Sequence, residues 1–325
     1  MAEETVHIEG LACPSCLGPL ASVDEVWRCA GCGAEYGACD GLWDLTTASA
    51  SGIPVLEREH YTDNIEFYLQ MHSTWQGSPF YRHYHSRVLD HLKTLPAGSM
   101  ILELGCGLGH DGLAMLRSGY RLVETDIAQG QLLEARRLHS EEGFSADSEH
   151  LIADAQHLPF ADGSFDGAMM VAMLHHLPDP VAALREVRRV LKPGGMLVLG
   201  TEPNTWQHTF LFPAGKRALH LAYRLMGKKG DPGEMVSAAD KETEGFSRYD
   251  LEYLFIRSGF ERWRLEPAGF LSAAAFFAAQ EFSEHFGVLV RLFWLERIGI
   301  AVDEWLERIG GLKNYPWHWN AVAFT

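Results

Sequence analysis

Nothing in these 325 residues approaches the ~18 consecutive apolar positions that a bilayer span requires. The opening stretch MAEETVHIEG is acidic and polar, without the basic-then-apolar order of a secretory signal, so the expectation is a cytoplasmic chain. Basic residues are scarce. Lys and Arg number 27 against 43 Asp and Glu, a formal net charge of −16, and that field argues against nucleic acid as a partner. Cysteine is sparse too, six in all, and in a reducing compartment a disulfide framework is not expected. With 47% apolar residues, the length suits one large catalytic body with a small appendage.

The few cysteines are grouped. Cys13-Pro-Ser-Cys16 and Cys29-Ala-Gly-Cys32 stand twelve residues apart, a spacing that lets two knuckles face one ion, and four thiolates favour zinc. Gly18 and Gly33 follow the knuckles and suit tight turns, and residues 25–28 read as a short strand between them. Cys39 falls outside the spacing and reads as a packing residue. A ribbon of about forty residues cannot bury enough core to hold itself without a staple. Four protein ligands leave the metal no open position, so Cys13, Cys16, Cys29 and Cys32 imply structural zinc and place the chemistry elsewhere. Residues 11–46 resemble the small zinc ribbons found as activator subunits of methyltransferases and at the N-terminus of an rRNA guanine methyltransferase.

From about residue 98 short apolar runs alternate with amphipathic stretches. Strands are predicted over 100–104, 121–125, 149–153, 166–173 and 196–201, with helices to 118, over 130–141 and over 181–191. Residues 246–269 read as a last helix and a sixth strand, and 317–325 as a seventh, antiparallel one. The expected fold is therefore α/β, a Rossmann-like doubly wound sheet of seven strands, with ligands at the carboxyl ends of the parallel strands.

The turn after the first strand, LELGCGLGHDG, is ambiguous. From Gly107 it matches the dinucleotide fingerprint GxGxxG, yet that match starts two residues late and runs into the following helix. A pyrophosphate needs a helix N-terminus without competing anions, and Glu103 ends the strand two residues before Gly105. S-adenosylmethionine (SAM) carries net charge +1, which an acid attracts. Asp126 closes the second strand, where a carboxylate can take both ribose hydroxyls. Asp154 ends the third, where it can accept from the adenine amino group while Ala155 donates its backbone N–H.

The strings ILELGCGLG, VETDIA, ADAQHLPFADGSFD and LHHLPDPVAALREVRRVLKPGG resemble the successive motifs of class I SAM-dependent methyltransferases, in the small-molecule and lipid branch. The resemblance is close over 98–204. It implies that Glu103, Gly105, Cys106, Gly107 and Gly109 surround the methionine end, Asp126 and Ile127 the ribose and adenine, Asp154 and Ala155 the adenine edge, and Val171 the backbone side of the pocket.

Methyl transfer from a sulfonium is an in-line displacement, so positioning dominates, and a base is needed where the nucleophile carries a proton. His175 and His176, at the mouth of the fourth strand, are the candidates for that base, and Glu202 after the fifth strand is a candidate to orient or deprotonate the acceptor. The aromatic segment 66–92 reads as one or two helices forming a lid, with Tyr81, Tyr84 and His85 as possible pocket residues. Its histidines lack a carboxylate at regular spacing and do not read as a metal site.

Two helical insertions are expected, at about 206–245 and 270–313. The first carries Lys216, Arg217, Arg224, Lys228 and Lys229 on an apolar helix, and the second is amphipathic. A lid for a hydrophobic acceptor, a homodimer surface, and peripheral contact with a membrane or nucleic acid compete for them. The sequence thus divides into a zinc ribbon (1–47), a helical lid or linker (48–97) and a SAM-dependent methyltransferase domain (98–325). The expected acceptor is small or lipid-like and methylated at oxygen in preference to nitrogen or carbon. The alternatives are an RNA base methyltransferase that grips RNA through the ribbon, and a catalytically silent SAM-binding partner.

Overall fold

The computed structural model describes residues 10–23, 26–47, 52–211, 217, 244–286 and 290–325. The knuckle segment forms a small antiparallel sheet from β1 (Leu20–Val23), β2 (Val26–Cys29) and β3 (Glu35–Tyr36), followed by two very short strands, β4 (Ala38–Cys39) and β5 (Leu42–Asp44). Three helices come next, α1 (Ile53–Asp63), α2 (Ile65–Trp75) and α3 (Pro79–Leu92). The alternating body then runs β6 (Met100–Leu104), α4 (His110–Leu116), β7 (Arg121–Asp126), α5 (Gln129–Glu141), β8 (Ser148–Ile152), β9 (Phe165–Val171), α6 (Pro180–Val190) and β10 (Leu191–Pro203). It closes with α7 (Arg248–Ser258), β11 (Arg262–Ala268), α8 (Leu271–Phe286), α9 (Phe293–Leu306) and β12 (His318–Phe324).

Local chemistry explains the boundaries. α6 starts where the Asp179 side chain accepts from Ala182 N and Pro180 occupies the first turn, and it lays Ala183, Leu184, Val187 and Val190 on the sheet. α7 opens on a reciprocal Ser247–Asp250 capping box and stops at Gly259, whose φ of 87° is the left-handed conformation glycine tolerates. The inner strands are apolar on both faces, as a sheet covered on both sides requires.

The strand order is β11-β12-β10-β9-β6-β7-β8-β5-β4. The seven expected strands occupy its first seven places, parallel from β10 to β8, with β12 antiparallel to both β10 and β11. The expected count is short by two. β5 adds parallel to β8 through Trp43↔Leu151 and Asp44↔Ile152, and β4 caps it antiparallel, so part of the segment read as ribbon extends the main sheet. The knuckles also rest on the body: Ala12 N donates to Pro159 O at 2.9 Å, Ala161 N to Gly10 O at 2.7 Å and Leu45 N to Ile152 O at 2.8 Å. Cys13, Cys29, Tyr36 and Leu45 share one apolar core with Leu151, Phe160 and Phe165.

The expected insertion at 270–313 is the α8–α9 hairpin. Its acidic interruptions have structural jobs. Glu296 Oε2 accepts from Ser78 Oγ and from Phe80 N, capping α3, while Asp303 accepts the amides of Phe270, Leu271 and Ser272 and caps α8. In the other insertion, Lys216, Arg224, Lys228 and Lys229 lie outside the described residues. No helix among the described residues is long and apolar enough to cross a membrane.

Leu45 is wholly buried where the N-terminal segment meets the sheet. Leu45→Ala should destabilise the whole chain by about 2–5 kcal/mol, read as a lower urea midpoint in one transition. A separate early transition confined to the N-terminal segment would show that the two parts are not one core.

Candidate active site

The carboxyl end of β6 opens into three glycines with positive φ: Gly105 at 66°, Gly107 at 53° and Gly109 at 74°. A Cβ at Gly105 would fall on the Met173 side chain, so the turn needs glycine for conformation and for room. The turn is pinned to the next strand by Gly105 N and Cys106 N, which both donate to Thr125 O. Cys106 is buried, and burial pushes its thiol well above the usual range. At the end of β7, Asp126 accepts from Gly107 N at 2.9 Å and Ala128 N at 2.8 Å. Burial nevertheless raises its carboxyl above the usual range, against the pull of those amides.

The remaining expected cofactor residues gather on the same edge. Asp154 is buried beyond β8, with Oδ1 accepting from Gln156 N at 2.9 Å, and Ala155 is buried beside it. Ile127 and Val171 are half-buried at the ends of β7 and β9. Glu103 is buried at 3% exposure, and burial together with the neighbouring Glu124 pushes its carboxyl up.

The fourth and fifth strands contribute a dyad. Glu202 is fully buried, its Oε1 accepting from Met173 N at 3.0 Å and Leu174 N at 2.9 Å and its Oε2 from His175 N at 3.2 Å. The same Oε2 lies 2.8 Å from His175 Nδ1. A carboxylate can only accept here, so Nδ1 carries the proton and Nε2 the lone pair. Glu202, expected to face the acceptor, is engaged here by His175 and the amides of residues 173–175 and so holds the loop. His176 Nδ1 pairs instead with Glu57 of α1 at 3.0 Å. The two strands supplying the dyad are bent at their ends, with positive φ at Ala172 (50°) and at Thr201 (51°), where a bulge interrupts the β10–β12 pairing.

The aromatic helices lie over this edge. Tyr81 stacks on His85 with ring centroids 3.7 Å apart, and His85 Nδ1 sits 3.0 Å from both oxygens of Asp111 in the first turn of α4. Burial raises the Asp111 carboxyl, but His85 beside it holds it below the usual range. Tyr84 is not a pocket residue: it is fully buried between Phe80 and Asp303. Asp111 and Glu57 were missed by sequence reasoning. Asp111 follows the glycine turn directly and could have been marked by that position, whereas nothing in sequence ties Glu57 to a loop 119 residues away.

At the other end of the chain the four knuckle thiols converge. Cys13 Sγ lies 3.7 Å from Cys32 Sγ and Cys16 Sγ 3.4 Å from Cys29 Sγ, close to the roughly 3.8 Å edge of a tetrahedron with metal–sulfur bonds of about 2.3 Å. Gly18 leaves room, since a Cβ there would stand 3.2 Å from both Cys16 and Cys29 sulfurs. The amides of Cys32 and Gly31 pull the Cys29 thiol down to about 6. Cys16, although Gly18 N–H lowers it, is pushed up to about 12 by the Cys29 and Cys32 sulfurs. Four such thiols ionise together only around a cation.

Residues 102–199 match the family model described as a methyltransferase domain. Over 104 residues the chain is 36% identical to Methyltransferase GfsG of Streptomyces halstedii, an alignment covering 32% of this chain and 37% of that one. Over 108 residues it is 39% identical to the ubiquinone biosynthesis O-methyltransferase of Xanthomonas axonopodis pv. citri, covering 33% and 44%. The chain thus spans about two fifths of the length of these curated relatives. The structure of phosphoethanolamine N-methyltransferase 2 from Haemonchus contortus, determined with SAM, superposes with a TM-score of 0.54 at 17% identity over 85% of this chain and 60% of that one, a likeness of fold. Residues 102–199 are therefore similar to methyltransferase domains, and the fold is a Rossmann-like α/β sheet.

Proposed function

We propose that this protein transfers a methyl group from SAM to a hydroxyl oxygen of a small-molecule or lipid-like acceptor. The His175–Glu202 dyad, at the carboxyl edge that also holds the glycine turn, carries this reading. The donor residues fit a cation. Glu103, Asp111 and Asp126 line the turn where a pyrophosphate would meet three acids, and SAM presents net positive charge. The O-methyltransferase names among the relatives support oxygen as the target.

SAM supplies an electrophilic methyl bound to a sulfonium that becomes a neutral thioether on transfer. The protein's part is alignment and proton management. Asp126 takes the ribose hydroxyls, Asp154 and Ala155 the adenine edge, and Ile127 and Val171 pack beside it. His175 Nε2 receives the acceptor's hydroxyl proton as the oxygen–methyl bond forms and the methyl–sulfur bond breaks. Glu202 is a positioning residue: it fixes the tautomer of His175 and stabilises the imidazolium that results. In the knuckles, Cys13, Cys16, Cys29 and Cys32 hold a structural zinc.

The partner of the α8–α9 hairpin, on this reading, is a second copy of the chain. Trp294, Ile298, Ala301 and Trp305 form an exposed stripe along α9. Run antiparallel against itself, the stripe sets Trp294 opposite Trp305 and Ile298 opposite Ala301, with exposed Arg297 near exposed Glu304.

Three outcomes are expected. Asp126→Ala should weaken S-adenosylhomocysteine binding roughly 10- to 100-fold by calorimetry, with no binding of NADH to the wild type; heat from NADH alone would overturn the SAM reading. His175→Ala should lower kcat by roughly 10²–10⁴-fold on an acceptor found by screening hydroxylated small molecules, with affinity for S-adenosylhomocysteine held within a few-fold. An unchanged kcat would remove His175 as the base. Light scattering should give a dimer that Ile298→Glu converts to monomer, and a monomeric wild type at tens of micromolar would sink the pairing.

A further inference from the structure

Glu124, His139 and His150 form a buried group that takes no part in that mechanism, and it adjoins Glu103 of the donor turn. β6, β7 and β8 run in register, which sets Glu103, Glu124 and His150 side by side across three parallel strands. His139 reaches the same spot from α5, and Glu124 and His139 have no exposed side-chain surface while His150 has 4%. His150 Nε2 lies 2.8 Å and His139 Nδ1 3.4 Å from Glu124 Oε2. Yet neither nitrogen, neither Glu124 oxygen nor Glu103 Oε2 makes a hydrogen bond. Buried polar atoms this close, left without hydrogen bonds, are costly unless something else satisfies them.

The tautomer of His139 sharpens the problem. Its Nε2 sits 2.9 Å from Gly109 O, a carbonyl that can only accept, so Nε2 carries the proton. In the neutral ring the Nδ1 lone pair then faces a carboxylate. Lone pairs that converge without pointing at one another are the arrangement of ligands around a shared cation. Metal–nitrogen and metal–oxygen bonds of about 2.0–2.2 Å give tetrahedral edges of roughly 3.3–3.6 Å; the 3.4 Å separation of His139 from Glu124 matches, and the 2.8 Å separation of His150 from Glu124 would open by about 0.5 Å around an ion. A histidine ligand commonly donates its other N–H to a backbone carbonyl, as His139 does to Gly109. Room is kept by Gly112, where a Cβ would fall on Glu124 Oε1 and stand 2.6 Å from Glu103 Oε2.

We infer that Glu124, His139 Nδ1 and His150 Nε2 hold a second divalent metal ion, with the Glu103 carboxyl as the nearest group to complete four-coordination. The charges balance: one dication, two carboxylates and two neutral imidazoles sum to zero in a core that would otherwise bury two facing acids. Two imidazoles and two carboxylates suit zinc among the divalent first-row ions, and a shell closed by protein groups and sealed from solvent marks a structural role. The site joins β7, β8 and α5 directly behind the glycine turn. It shares Glu103 with the donor turn of the proposed function and is separate from the cysteine site, and a metal count tests it without reference to methyl transfer.

The test is metal stoichiometry of the full chain, expressed with added zinc and dialysed against a chelator while folded. Two zinc ions per chain are expected, with X-ray absorption showing a nitrogen and oxygen shell beside the sulfur shell. Cys13→Ser with Cys16→Ser should leave one zinc with the nitrogen and oxygen shell alone, and His150→Gln should leave one with the sulfur shell alone. If the histidine variant fails to fold, the wild-type measurement still decides. A single zinc per folded wild-type chain in an all-sulfur shell would mean that the four side chains share protons instead, and would overturn the assignment.

Discussion

Buried and half-buried carboxylates that accept backbone amide protons hold this molecule together where its layers meet. Glu202 takes three amides of the loop after β9, Asp126 takes one from the glycine turn and one from the start of α5, and Asp303 takes three at the start of α8. Glu296 reaches Phe80 N, and Asp166 reaches Met100 N at 2.9 Å. Removing a carboxylate from water is costly, and several N–H donors on one group offset that cost while satisfying helix ends that would otherwise be orphaned. Part of the acidic excess is therefore internal scaffolding rather than surface charge.

This constraint also builds the chemistry. The loop carrying His175 leaves β9 through a left-handed Ala172, and Glu202 follows a left-handed Thr201 near the end of β10. Each such conformation costs of order 1–3 kcal/mol and persists only where the surroundings over-determine it. Three amide bonds to Glu202 from one side and the bond from Thr201 N to Asn320 Oδ1 at 2.8 Å from the other supply that determination. In the proposed reaction, a base held this way would enter with its tautomer and direction already fixed, leaving little to reorganise at proton transfer.

The parallel body was legible because its signals are local. Short apolar clusters mark the strands and each turn has its glycine or acid within a few positions, so the seven strands follow from spacing. β4 and β5 were not legible: at two and three residues they are too short for any periodicity, and pairing with a strand more than a hundred positions away makes them strands. The place of Glu202 at the end of the fifth parallel strand was legible but not its pairing with His175, since the sequence does not reveal the bulge beside it. The row of Glu103, Glu124 and His150 was invisible for a related reason. Each residue interrupts its own strand once, and the parallel register alone makes them neighbours.

The two histidines at the mouth of β9 link these levels. Their rings lie 4.2 Å apart, one held from the sheet side by Glu202 and the other from the helical side by Glu57 of α1. Glu57 is 5% exposed, so drawing α1 away from the site would either leave a buried carboxylate without His176 or bring the loop along with it. The first alternative is expensive, and the second displaces His175, because the adjacent residues share one short 3₁₀ turn. The position of the covering helices and the direction of His175 are therefore one mechanical variable, set by two acids on opposite sides of a pair of adjacent imidazoles.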